Sequence, residues 1–135
     1  MNKPLKTSRV PNESDLLSLV VPVFNERSML PIFFEHVLPI LASLDIRSEI
    51  VVVDDGSEDG SAEFVKTVIE KRSSIRLVKL SRNFGKEAAV TAGLEHARGE
   101  AVIVLDADLQ DPPEYIPETG SYNTLRAHEN KANTL

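Results

Sequence analysis

The sequence of 135 residues contains no cysteine and no tryptophan. Without thiols there is no disulfide framework, no thiolate metal site and no sulfur nucleophile, although this absence does not assign a cellular compartment. No apolar stretch approaches the roughly 20 residues that span a bilayer, and the first 16, MNKPLKTSRVPNESDL, lack the apolar core of a secretory signal. The expectation is a chain that neither crosses a membrane nor is exported. Basic residues are few: 15 Lys and Arg stand against 21 Asp and Glu, a net charge of −6. They form no cluster dense enough to neutralise a phosphate backbone, which argues against nucleic acid as a partner. What remains is 41% hydrophobic, and a single domain of this size buries about 60–70% of its unfolded surface, enough for an apolar core without staples.

The apolar residues fall into short blocks with two different periods. Residues 1–15 are polar, contain Pro4 and Pro11, and read as an N-terminal arm without structure of its own. Residues 16–24, LLSLVVPVF, form a run expected of a strand buried on both faces. Pro22 lacks an N–H, so either the strand ends there or that side stays unpaired. Leu30, Phe33, Phe34, Val37, Leu38, Leu41 and Leu44 are spaced by threes and fours, one helical stripe interrupted by a Pro39 expected to kink it. A second strand, EIVVV at residues 49–53, leads through DDGSEDGS to a helix with Phe64, Val65, Val68 and Ile69 on its stripe. Residues 74–80, SIRLVKL, alternate less cleanly and suggest an edge strand. A small-residue helix is predicted over residues 83–98, with Gly99 as its left-handed cap, and AVIVL at 101–105 is a fourth strand. This order predicts parallel strands joined by right-handed crossovers with helices on both faces. Residues 118–135 show little apolar patterning and read as a disordered or weakly helical tail.

In an open parallel sheet, ligands bind outside the carboxyl ends of the strands. Each predicted strand here runs into polar residues at that end: Asn25 and Glu26, then Asp54 to Ser57, then Arg82 to Lys86, then Asp106, Asp108 and Gln110. Crowded carboxylates repel one another, and a cation is the simplest remedy. Asp106 and Asp108 can hold a hard divalent ion while leaving positions for water and phosphate oxygens, with Gln110 as a further oxygen ligand; alternatively they only cap the turn. An EF-hand is excluded, since Asp111 and Pro117 stand where its loop needs Gly and an acidic ligand. Gly56, Asp59, Gly60 and Ser61 suit a strand-to-helix turn. Asp54 and Asp55 fit that role less well, because buried carboxylates require donors, and a nucleobase or ribose is one source. Lys86, at a helix start, is placed either to meet a phosphate or to be solvated. His36, His96 and His128 lack metal-ligand spacing.

VVPVFNE at 20–26, EIVVVDDGSEDGS at 49–61, LSRNFGKEAAVTAGLEHARGE at 80–100 and VLDADLQDPPE at 104–114 together resemble the family 2 glycosyltransferases of GT-A fold. The resemblance is strongest to the polyprenyl-phosphate branch, the dolichyl- and undecaprenyl-phosphate sugar transferases, and covers about residues 17–117. It implies an α/β fold, a GT-A (Rossmann-like) open, mostly parallel sheet with helices on both faces, of which this chain holds the nucleotide-binding half over residues 16–117. It further implies that Pro22, Phe24 and Glu26 line the nucleotide pocket, that Val53 and Asp55 contact the nucleoside, and that Asp106, Ala107, Asp108 and Gln110 serve the diphosphate and its Mg²⁺ or Mn²⁺. Asp106, Asp108 and Gln110 would be the metal ligands. Phe24 stands where the family often has Tyr, keeping an aromatic face without the hydroxyl.

The implied activity is metal-dependent, inverting transfer of a sugar from a UDP- or GDP-linked donor to a polyprenyl-phosphate acceptor, in the cytoplasm or peripherally at the cytoplasmic membrane face. No catalytic residue follows from the resemblance. Family members continue past the Asp-x-Asp turn with an acceptor-binding part, whereas residues 119–135, TGSYNTLRAHENKANTL, match nothing in that pattern. The sequence therefore reads as a truncated relative, inactive in transfer for that reason. The alternative is a non-catalytic nucleotide-binding fragment or regulatory module. A haloacid-dehalogenase-like phosphohydrolase fits poorly, because its Asp-x-Asp follows the first strand and here the triplet follows the fourth.

Overall fold

The computed structural model describes residues 15–108 and the backbone of Leu125 and Arg126. Residues 1–14, and with them nearly all of the predicted arm, lie outside the described residues, as do Gln110 and His128. The element order is β1 (Leu16–Val23), α1 (Leu30–Ala42), β2 (Arg47–Asp54), α2 (Ser61–Ile69), β3 (Ile75–Lys79), α3 (Lys86–His96), β4 (Ala101–Val104) and β5 (Leu125–Arg126). The sheet runs β3-β2-β1-β4-β5. The first four strands in chain order pair in parallel, and only β5 is antiparallel, against β4. Of residues 118–135, expected to be a disordered or weakly helical tail, all but the backbone of Leu125 and Arg126 lie outside the described residues, and these two pair with Val102 and Ala101. The free edge of β4 offers the unpaired backbone groups that allow this.

Alternation along the strands divides the core in two. Leu17, Leu19, Val21 and Val23 of β1, with Ile50 and Val52 of β2, face α1 and α2, where Phe33, Val37 and Val65 are fully buried. Val20, Val51, Val53 and Val102 face α3. Both faces of β1 and β2 are covered, which explains why these strands read as continuous apolar runs. The weakly alternating β3 is indeed an edge strand.

Pro22 lies inside β1, opposite Val53 of β2. Leu105 N–H donates to the Val20 carbonyl and Asp55 N–H to that of Val23. Alternation along a parallel strand therefore turns the nitrogen of Pro22 towards β4, whose pairing with β1 has already ended at Val20. The missing donor costs nothing there. Pro39 sits inside α1, yet the helix remains unbroken through Ala42.

Two expectations about α3 need correction. The helix begins at Lys86 rather than at 83, and Gly99 is not its left-handed cap: α3 closes on an extended Ala97, with φ −67° and ψ 135°, and Gly99 is not among the positive-φ residues. Gly99 is required by close approach, since a Cβ there would stand 2.5 Å from the Leu16 carbonyl oxygen and 2.6 Å from Ser18 Oγ. Gly99 N–H donates to Ser18 Oγ, and Ser18 donates to Glu49 Oε2 at 2.5 Å. Glu49 also accepts from Arg98 N–H at 2.7 Å and pairs with Arg76 at 2.9 Å. This buried polar cluster closes the amino-terminal edge of the sheet, opposite the loops that carry the candidate site.

Candidate functional site

At the carboxyl edge of the sheet, the loop after β1 is laced to the loop after β2. Asn25 N–H donates to Ser57 Oγ at 2.8 Å, Glu58 N–H to Asn25 Oδ1 at 2.8 Å, and Arg27 N–H to Asp59 Oδ2 at 3.0 Å. Glu26 N–H donates to the buried Ser61 Oγ, which in turn donates to Asp59 Oδ1. Burial raises the carboxyl pKa of Asp59, but the hydroxyl and N–H of Ser61 and the N–H of Arg27 outweigh it and hold the value below the ordinary 3.8. Asp59 thus joins two loops just before α2, whose N-cap is Gly60. Asn25 adopts φ 53°, a left-handed conformation that Asn tolerates better than most residues.

A second set of bonds fixes the loop before α3. Asp55, 3% exposed, accepts from Phe84 N–H at 2.8 Å on Oδ1, and from Gly85 N–H and Asn83 Nδ2, each at 3.0 Å, on Oδ2. The donors that a buried carboxylate requires are therefore supplied by this chain's own backbone and Asn83. Gly56 follows with φ +81°, and a Cβ on it would stand 2.5 Å from the backbone of Arg82 and Asn83. Asp54 folds back through Oδ2 onto Ser57 N–H at 3.2 Å, while its Oδ1 is buried without a hydrogen-bond partner.

These loops frame an open cleft of about 430 Å³. Glu26, Asp106 and Asp108 bring carboxylates to it, and Lys86 brings an ammonium whose Nζ lies 2.8 Å from Asp106 Oδ1. Burial raises the Glu26 carboxyl above its ordinary 4.5; Asp108 and Asp106 add to the rise, and the Phe24 N–H and Lys86 oppose it. Withdrawal from water is the main cause, with the facing carboxylates adding to it.

Of the residues the sequence singled out, Pro22, Phe24, Glu26, Asp55, Asp106 and Asp108 line this cleft. Val53 does not: it is fully buried and packs beneath Gly93 of α3. The Ala107 side chain is likewise fully buried, in the core facing α1. Val53 shares a sheet face with Asp55 but lies deeper, where α3 covers it, whereas Ala107 turns to the side opposite Asp106 and Asp108. Val23, Asn83, Gly85 and Ala89 complete the lining and had not been singled out individually for the pocket. Asn83 and Gly85 belonged to a polar strand-end loop, but their long-range attachment to Asp55 leaves no local signal. His36 and His96 lie exposed on helices, each with Nδ1 at 2.9 Å from the carbonyl one turn back.

Among the described residues, no group of three or more His, Asp or Glu side chains is gathered closely enough to hold a metal ion. Two carboxylates on an open cleft nevertheless suit a hard cation such as Mg²⁺ or Mn²⁺, which retains water and takes phosphate oxygens as further ligands. The ammonium group on Asp106 shows that positive charge is accommodated there.

The family model for glycosyl transferase family 2 matches residues 18–120. Among curated relatives, the undecaprenyl-phosphate 4-deoxy-4-formamido-L-arabinose transferase of Pseudomonas paraeruginosa is 47% identical over 108 residues, covering 79% of this chain and 32% of the relative. That of Shewanella sediminis is 42% identical over 123 residues, 84% of this chain and 37% of the relative. An uncharacterized glycosyltransferase of Synechocystis is 47% identical over 102 residues, 76% and 32% respectively. The chain thus spans about a third of the length of the curated relatives it matches. Among solved structures, the mannosyltransferase PcManGT of Pyrobaculum calidifontis, in complex with GDP-Man and Mn²⁺, superposes with a TM-score of 0.61 at 27% identity over 78% of this chain and 36% of that one. S. aureus TarS in complex with UDP-GlcNAc gives 0.57 at 27% identity, over 76% and 31%. The sheet order, the two helical layers and the match across residues 18–120 agree, and the chain belongs to glycosyl transferase family 2, whose GT-A fold it shares over its amino-terminal part.

Proposed function

We propose that the cleft binds the nucleoside diphosphate of a UDP- or GDP-linked sugar together with Mg²⁺ or Mn²⁺, as the donor-binding part of a transferase acting on a polyprenyl phosphate. The observation that carries this reading is the arrival of Asp106 and Asp108 beside Glu26 and Lys86 in one cleft at the carboxyl edge of the sheet. The names of the relatives support a polyprenyl-phosphate acceptor, and the ligands of the solved structures support a nucleotide-sugar donor.

In this reading Asp106 and Asp108 hold the ion, with Gln110 a further ligand, and the half-exposed Phe24 ring offers a face to the nucleobase beside Pro22. Asp55 acts on the nucleoside mainly by holding residues 83–85 in place, since its own oxygens already accept three hydrogen bonds. Val53 and Ala107 do not line the cleft, and their side chains are committed to the core. When bound, the cation supplies electrostatic stabilisation of the departing diphosphate. A phosphate acceptor is anionic at neutral pH and needs no carboxylate to take a proton from it. With a lipid-linked acceptor, the working site lies at the cytoplasmic membrane face; no helix among the described residues is long and apolar enough to cross it.

Calorimetric titration of UDP and GDP into the chain, with and without Mn²⁺, tests the proposal. Asp106→Asn and Asp108→Asn are each expected to weaken metal-assisted binding by about 10–100-fold or more, with unchanged circular dichroism. Unaltered affinity in both variants rejects the metal role. Release or transfer of sugar from a bound donor separates an active transferase from a module that only binds nucleotide.

A further inference from the structure

Three consecutive backbone N–H groups after β1 all donate to side chains of one other loop: Asn25 to Ser57 Oγ at 2.8 Å, Glu26 to Ser61 Oγ at 3.1 Å and Arg27 to Asp59 Oδ2 at 3.0 Å. With Asn25 left-handed, at φ 53°, these groups converge as they do in the backbone concavities that bind anions. Here the anion is the chain's own Asp59 carboxylate. Its Oδ2 holds Arg27, while its Oδ1 accepts the Ser61 hydroxyl proton at 2.6 Å and so turns Ser61 Oγ into an acceptor for Glu26. On the outer side the Arg27 guanidinium covers the Phe64 ring of α2 at 4.3 Å. None of the three acceptors lines the cleft, yet Phe24 and Glu26, in the loop they hold, both do. Glu26 Oε1 also accepts from Phe24 N–H at 3.3 Å, so fixing residue 26 fixes residue 24.

From this geometry we propose that Asp59, acting through Ser61, is a positioning residue for nucleoside recognition: from outside the cleft it holds the loop after β1 in the conformation that presents Phe24 and Glu26. The inference rests on the reading of the cleft as a nucleoside diphosphate site with Phe24 against the base. A left-handed residue other than glycine persists only where its surroundings over-determine it. The loop after β2 supplies those surroundings, and Asp59 is its one charged acceptor for this loop's amides. Without Asp59, Arg27 N–H and the Ser61 hydroxyl lose their shared partner, and the loop spends time in conformations that withdraw Phe24 and Glu26. Apparent affinity then falls in proportion to the binding-competent fraction. Asp106 and Asp108 follow β4 and take no part in these bonds, so the metal and diphosphate end of the site is expected to be largely spared.

The test compares, by calorimetry at saturating Mn²⁺ and well below the unfolding midpoint, the affinities for UDP, GDP and inorganic pyrophosphate in the wild type, Asp59→Ala, Asp59→Asn and Glu49→Gln. In Asp59→Ala a loop in its binding geometry about a tenth of the time weakens binding of the preferred nucleotide about tenfold. Pyrophosphate, which lacks the nucleoside, is expected to stay within about threefold of wild type, as for a site independent of the change. Asp59→Asn keeps one acceptor oxygen and is expected to fall between, at about threefold. Glu49→Gln perturbs the opposite edge of the sheet and is expected to leave all these affinities unchanged. Nucleotide affinity in Asp59→Ala equal to wild type, or an equal loss for nucleotide and pyrophosphate, overturns the positioning role while the cleft reading stands. A wild type that binds neither UDP nor GDP overturns the cleft reading itself, and this inference with it.

Discussion

At the scale of single residues, the buried Glu49 and the half-buried Glu26 respond to their surroundings in opposite ways. Glu49 is 7% exposed and fully engaged, accepting from Ser18, Arg98 N–H and Arg76. Burial pushes its carboxyl up, but the hydrogen bonds of Ser18 and Arg98, followed by Arg76, outweigh this and hold it below the ordinary 4.5. Because the folded value lies below the unfolded one, the stabilising contribution is complete above pH 4.5 and is lost as pH falls through the folded value. Urea titrations are expected to show Glu49→Gln flattening this part of the acid limb, and Glu49→Ala costing about 2–4 kcal/mol at neutral pH by orphaning the Ser18 hydroxyl and the Arg98 amide. An acid limb identical to that of the wild type in Glu49→Gln contradicts the assignment. Glu26 is the opposite case. Its raised pKa comes from burial and from facing Asp108 and Asp106, an arrangement that favours a ligand site over a structural bond. Glu49 lies within β2 and Glu26 in the loop after β1, but it is their long-range neighbours that separate a satisfied carboxylate from a crowded one.

At the scale of elements, α3 shows what a face of small residues accomplishes. A Cβ on Gly93 would collide with Val20 Cγ1 and stand 3.1 Å from Val53 Cγ2. The helix therefore lies close against β1 and β2, bringing its first residue, Lys86, to the cleft. Gly93→Ala is expected to cost about 1–3 kcal/mol from overpacking, seen as a lower denaturation midpoint with an unchanged m-value; a midpoint equal to wild type refutes such close packing. The strands were legible because β1 and β2 are buried on both faces and consist of β-branched and aliphatic runs. The α1 stripe was legible from Leu30 to Leu41 because its apolar residues face only one core. The start of α3 was not, because residues 83–85 take their conformation from Asp55 rather than from their own propensities. Gly99 was misread as a cap for a related reason: local pattern shows that a glycine follows a helix, but not that β1 passes within 2.5 Å of where its Cβ would stand.

At the scale of the whole molecule, the loops after β1, β2 and β4 and the start of α3 form one site, so ligand binding couples to global stability. With Mn²⁺ present, UDP or GDP at 100 times its dissociation constant is expected to stabilise the chain by about 2.7 kcal/mol, measured by denaturant or thermal unfolding. The gain is expected to be lost with a chelator and to fall to about 0.4–1.4 kcal/mol at the same nucleotide concentration in Asp108→Asn. Stabilisation that survives both treatments indicates binding without the metal.

The order of strands and helices through β4, the carboxyl-edge location of the polar loops, and the family followed from the sequence alone, because hydrophobic period and strand-end residues are local and the motifs run in order along the chain. Tertiary structure decided which residues of each motif reach the cleft. α3 covers Val53, and in the turn after β4 Ala107 points into the core while Asp106 and Asp108 on either side of it reach the cleft. It also supplied the donors to Asp55 and set Lys86 against Asp106, pairings made across 20 or more residues that no local pattern encodes.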